Sequence, residues 1–151
     1  LSPISLMNDS GCVYLERIKN SNSVSLHVRR GDYLKLKNIG VLDVDYYMKA
    51  VQYIRKNVEK PTFYIFSDDL EWCKRHLGFV DGCIYVDRTQ NEIDDLKLMS
   101  FCQHNIIANS SFSWWGAWLN QNRKKTVIAP KGWLLNDPGS SNVILSDWVK
   151  F

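Results

Sequence analysis

VSLHV (24–28), followed at once by RRGDY (29–33) and then by DVDYYMKAVQYIRKNV (43–58), sets the pattern from which the architecture is read. The first run is short, apolar and bounded by β-branched residues, and it stops at a charged cluster, as a buried parallel strand does. In the second, Val44, Tyr47, Met48, Val51, Ile54 and Val58 recur at helical spacing, so a covering helix is expected. The alternation then repeats. TFYIF (62–66) reads as a strand, DLEWCKRHL (69–77) as a helix and CIYVD (83–87) as a strand. EIDDLKLMSFCQ (92–103) reads as a helix with Ile93, Leu96 and Met99 on one face and a capping box from Thr89 and Glu92. NIIA (105–108), SWWGAWLNQ (113–121) and TVIA (126–129) complete the series, the last ended by Pro130. Such a series predicts an α/β fold with a doubly wound parallel sheet. In these sheets ligands lie beyond the carboxyl ends of the strands, so function is sought in the residues just after each strand.

Working outward, the 151 residues fit one domain, and a hydrophobic fraction of 45% supplies a core. A net charge of +3 is too weak for a general nucleic-acid binder, so no nucleic-acid partner is expected, but it suits a local pocket for a small anion. Cys12, Cys73, Cys83 and Cys102 have no C-x-x-C or metal-finger spacing and read as free buried thiols of a reducing compartment. No run reaches the roughly 20 apolar residues of a membrane span, and no transmembrane segment is expected in this chain. The first residue is Leu1, which is expected where an upstream part has been removed, or where the mature chain has been processed.

Three strand ends carry chemistry. After the first, Arg29 and Arg30 offer planar forks that match pyrophosphate oxygens, or they pair with Asp32 in a surface salt bridge. His27 is either a ligand or a satisfied core histidine. After the second, Asp68 and Asp69 can accept paired hydrogen bonds from a guanine edge, or cap the next helix. After the third, Asn109, Ser110, Ser111, Phe112 and Ser113 run into a helix whose N-terminal N–H groups form a natural phosphate cradle. Trp114, Trp115 and Trp118 read as core, and Gly116 as a point of close helix-to-sheet packing. No phosphate loop of the G-x-x-x-x-G-K type and no G-x-G-x-x-G occurs. Asp43-Val44-Asp45 matches a metal-binding D-x-D formally, but its place at a helix start favours capping.

HVRRGDY, FYIFSDD, LMSFCQHNIIANSSFSWWGAWLN and VIAPKGWL, in that order over residues 23–135, resemble glycosyltransferase family 11, the α1,2-fucosyltransferases. The H-x-R-R-x-D element is shared with α1,6- and protein O-fucosyltransferases, whereas SSFSWWGAWL is particular to the α1,2 family. The resemblance implies one Rossmann-like half of a GT-B enzyme. The whole chain 1–151 would be a single donor-binding domain, residues 1–20 its connecting helix, and the N-terminal acceptor half would be missing. It further implies transfer of L-fucose from GDP-β-L-fucose to the 2-hydroxyl of a galactose-terminated glycan, with inversion. No metal or other cofactor is implied, GDP-fucose being a substrate, and the site is the cytosol or the cytosolic face of a membrane.

By similarity, Arg29 stabilises the charge growing on the β-phosphate, with Arg30 assisting or bracing the loop. Ser111, Phe112 and Ser113 serve the same phosphates. His27 and Asp68, with Asp69 behind, take the guanosine contacts. Asp32 is the nearest acid for the catalytic base, or it locks an arginine instead. Two rivals remain: a non-catalytic GDP-sugar-binding module, and another H-x-R-R-x-D fucosyltransferase of the α1,6 or protein O-linked kind.

Overall fold

The computed structural model describes residues 7–31, 42–89, 91–132 and 144–151. Among the described residues six strands form one sheet, β1 (Asn22–Val28), β2 (Pro61–Ser67), β3 (Ile84–Tyr85), β4 (His104–Ile106), β5 (Val127–Ala129) and β6 (Val149–Lys150). They lie in the order β3-β2-β1-β4-β5-β6, and every neighbouring pair is parallel. The fold is therefore the Rossmann-like doubly wound sheet expected from the alternation, with its order reversing between β1 and β4.

Side-chain alternation sorts the helices onto the faces. Val24, Leu26 and Val28 of β1 and Phe63 and Ile65 of β2 point to the side covered by α2 (Val44–Asn57) and α3 (Leu70–His76), where Tyr47, Val51, Ile54 and Trp72 meet them. Tyr64 and Phe66 point the other way, to α1 (Asp9–Lys19) and α4 (Glu92–Phe101), packing with Leu15, Ile18, Leu98 and Met99. α5 (Ser111–Leu119) lies on that second side, with Ala117 against Ile107 and Val127. α1 falls inside the expected connecting helix.

On this second face β1 carries Ser23, Ser25 and His27, all buried, in place of aliphatic residues. The two serine hydroxyls accept bonds from neighbours, Ser23 Oγ from Gln103 N at 3.0 Å. Asn105 donates to Ser25 Oγ at 2.7 Å and to the Met99 carbonyl at 2.9 Å, and its own Oδ1 accepts from Asn120 Nδ2 at 2.8 Å. This buried network ties β1, β4 and the C-terminal ends of α4 and α5 together. From the first face, Tyr47 OH donates to the His27 carbonyl at 3.0 Å and Tyr46 OH to the Ile107 carbonyl at 2.6 Å. Both carbonyls stand at strand ends, so α2 fixes the backbone from which the site loops depart.

The structure corrects several local expectations. α4 is capped by Asn91, whose Oδ1 accepts from Asp94 N at 3.0 Å, while Thr89 donates instead to Asp95 Oδ1 at 2.6 Å. Ile93 is 61% exposed, because α4 turns Leu98 and Met99 rather than Ile93 inward. Trp115 and Trp118 are each 49% exposed and do not lie under the sheet. Gly116 serves contact between helices rather than between helix and sheet, since a Cβ there would sit 3.1 Å from Met99 Cβ. No disulfide joins the four cysteines, of which Cys73 and Cys102 are buried and Cys12 and Cys83 half-buried.

Candidate functional site

A cavity of about 300 Å³ opens where the strand order reverses, lined among others by His27, Arg29, Asp68, Asp95, Ser110 and Phe112. Its position follows from topology: β1 and β4 diverge there, and their outgoing loops leave space between them.

The β1 loop is held by Asp68. Its Oδ1 accepts from Arg30 N at 2.9 Å and its Oδ2 from Gly31 N at 2.7 Å, and Oδ2 also lies 3.8 Å from Arg29 Nε. A side chain at position 31 would put its Cβ 2.6 Å from Asp68 Oδ2, so the clamp requires glycine. Both oxygens of Asp68 are thus engaged inside the protein. Arg30 is drawn away from the cavity: its guanidinium lies 4.2 Å from the Trp72 ring centre, and its Nε stands 3.7 Å from Asp69 Oδ2. Asp69 also caps α3, accepting from Trp72 N at 3.1 Å. Of the two arginines, Arg29 lines the cavity and Arg30 braces its wall.

The opposite wall is the start of α5. Four helices have a capping side chain, Asn8, Asp43, Asp69 and Asn91, whereas Ser110 at the N-cap of α5 makes no such bond. Asp43 therefore caps α2, which accounts for the D-x-D spacing. Ser113 is not available at the cavity, because its buried Oγ accepts from Ala108 N at 3.2 Å and closes the turn between β4 and α5. Ser110 and Ser111 line the cavity; Asn109 is buried behind them. The N-terminus of α5 thus presents positive potential to the cavity with no capping side chain bonded to it.

His27 and Asp95 have shifted proton affinities. Burial lowers the His27 imidazole to about 4, the Asp68 charge opposing and Arg29 reinforcing the shift, so the ring is neutral at physiological pH. Its buried Nδ1 has no partner, and Phe112 packs at 5.5 Å between ring centres. Burial raises the Asp95 carboxyl to about 6; the Asp94 and Glu92 charges raise it further, against the bond from Thr89, which lowers it. Asp95 was not singled out by sequence, and Glu92 only as a capping-box residue. Three acids at the start of α4 look like ordinary helix-start residues, and only the packing of α4 beside α5 brings two of them to the cavity. Asp32 lies outside the described residues.

The profile of Glycosyl transferase family 11 matches residues 5–151. The chain belongs to glycosyltransferase family 11. Its relatives in the family include the O-antigen biosynthesis glycosyltransferase WbnK of Escherichia coli, 37% identical over 97% of this chain and 50% of that protein. An alpha-1,2-colitosyltransferase of Escherichia coli is 40% identical over 77% of this chain and 42% of its own length. Human galactoside alpha-(1,2)-fucosyltransferase 1 is 33% identical over 64% of this chain and 28% of its own length. The chain spans half or less of these curated relatives. No solved structure matches it significantly.

Proposed function

We propose that this chain forms the donor-binding part of an inverting glycosyltransferase that moves L-fucose from GDP-β-L-fucose to the 2-hydroxyl of a galactoside. The observation that carries this reading is the meeting, in one cavity, of Arg29, the uncapped start of α5, a neutral histidine and a carboxylate of raised proton affinity. Arg29 and the helix start suit a diphosphate, whose β-phosphate gains negative charge as the sugar leaves.

The guanine contact falls better to Asp95 than to Asp68. Asp68 is occupied by the amides of Arg30 and Gly31, whereas Asp95 receives one bond, from Thr89, and lines the same cavity. An ionised carboxylate there can accept two N–H groups from a guanine edge, which adenine, uracil and cytosine do not present in that pattern. His27 completes the base or ribose contacts. Asp68 and Asp69 brace Arg29 and Arg30, and Asp32 is the acid proposed as general base for the incoming hydroxyl. A second reading of the sugar, colitose, is favoured by the 40% identity to the colitosyltransferase.

Calorimetry with GDP, UDP, ADP and CMP, with and without EDTA, tests the reading. GDP is expected to bind at least about tenfold more tightly than the others, with EDTA making no difference, since Arg29 and the helix start supply the positive potential. Equal affinities would remove the base contact. Turnover with GDP-fucose and a β-galactoside in the longer protein distinguishes the transferase from a module that only binds GDP-sugar.

A further inference from the structure

From the middle of α5 to its end away from the cavity, large apolar side chains stand in solvent. Trp115 and Trp118 are each 49% exposed, Leu119 48%, and Phe101, at the end of α4, 37%. Positions 115, 118 and 119 share one face of the helix by spacing, and Leu119 and Phe101 line a common groove. The surface is ordered: Trp118 stacks on Trp114 at 5.5 Å between ring centres and 9° between planes.

Its rim is cationic. Lys97 lines the groove, Arg123 and Lys124 are exposed just beyond α5, and Lys19 Nζ lies 5.5 Å from the Phe101 ring centre. Among the described residues the acids in reach are few: Glu16 precedes Lys19 by one turn of α1, and Asp147 faces Lys125, whose Nζ already bonds the Ala117 and Asn120 carbonyls. A second copy docked face to face would bring two cationic rims together, so the surface suits an anionic partner instead. Exposed tryptophans, a leucine and flanking lysines on one helix are the composition of a helix lying in the headgroup region of a bilayer.

We propose that the face formed by Phe101, Trp115, Trp118 and Leu119, with its rim of Lys97, Arg123 and Lys124, docks the protein peripherally on an anionic membrane surface. No helix among the described residues is long and apolar enough to cross a membrane. The donor cavity lies at the start of the same helix, where Ser111 and Phe112 line it, about 6 Å along the axis from Trp115 and about 12 Å from Leu119. Docking would hold it close to the headgroups, where an acceptor presented at the membrane could reach it. The inference stands whether or not the sugar and base assignments hold.

Flotation with vesicles of phosphatidylethanolamine and phosphatidylglycerol, against vesicles of phosphatidylcholine alone, tests it. The protein is expected to float with the first and stay behind with the second, and to be released as salt rises. The double variant Arg123→Gln/Lys124→Gln, which touches no core residue, should weaken attachment about tenfold or more. Trp115→Ser/Leu119→Ser should do the same, with circular dichroism and the melting temperature reporting that the fold is kept. Failure to float with anionic vesicles overturns the proposal, and so does flotation indifferent to the charge variant. A dimer seen by ultracentrifugation that the charge variant leaves intact and the Trp115→Ser/Leu119→Ser variant dissociates also overturns it, by assigning the face to a second copy.

Discussion

Replacing Arg29 by lysine keeps the charge and removes the planar fork, so turnover in the longer enzyme should fall by roughly a hundredfold or more. Stability should change by no more than about 1 kcal/mol, since the side chain lines a cavity and makes its recorded ion pair at 3.8 Å. Transfer rates and thermal melts on one variant separate the two effects. Asp95 should give two pH readouts of opposite sign. Its folded value of about 6 lies above the ordinary 3.8, so its contribution to stability is fully present below about 3.8 and lost as pH rises through 6. Asp95→Asn should therefore stabilise the unliganded protein at pH 7, by about 1–3 kcal/mol, while weakening GDP binding. Wild-type GDP affinity should fall as pH drops from 7 to 5, because the protonated carboxyl loses an acceptor. A flat affinity profile would take Asp95 out of the base contact. The sequence shows which residues cluster at strand ends, but not how they divide the work. Arg29 and Arg30 are neighbours in one motif, and it takes Trp72 and Asp69, about forty residues on, to draw one of them aside.

Among the elements, α5 makes the sharpest contrast. Gly116→Ala gains helix propensity of about 1 kcal/mol, yet its new methyl meets Met99 Cβ at 3.1 Å where α4 and α5 cross. A net loss of about 1–2 kcal/mol is expected in a denaturant titration. Trp115→Ala, by contrast, should cost well under the roughly 3–5 kcal/mol of a buried aromatic, because half of that ring is already in water. The strands were legible because buried parallel strands are short apolar runs with abrupt ends, and β1, β2, β4 and β5 lie where those runs are. The edge strand β6 is two residues long and carries no such signal. Helix faces were harder. Met48, Ile93 and Trp115 are apolar and periodic but exposed, since the sequence records hydrophobicity and not which arc of a helix a neighbour leaves uncovered.

For the molecule as a whole, the buried network around Asn105 joins the two halves of the sheet behind the cavity. Asn105→Ala should cost about 2–4 kcal/mol by removing three buried bonds at once, to Ser25 Oγ, to the Met99 carbonyl and from Asn120 Nδ2, and it should loosen GDP binding although no ligand contact is lost. A melt and a calorimetric titration of that variant measure both. The position of β1 has a consequence for synthesis. β1 is an early strand, yet it pairs on one side with β2 and on the other with β4, whose register Val24↔His104 joins residues eighty apart. During translation β1 and β2 can form with their covering helix, but the second edge of β1 stays open until the chain has passed Ile106. A nascent chain stalled before that point exposes an unpaired central strand, and chaperone binding or aggregation on the ribosome should concentrate in that interval.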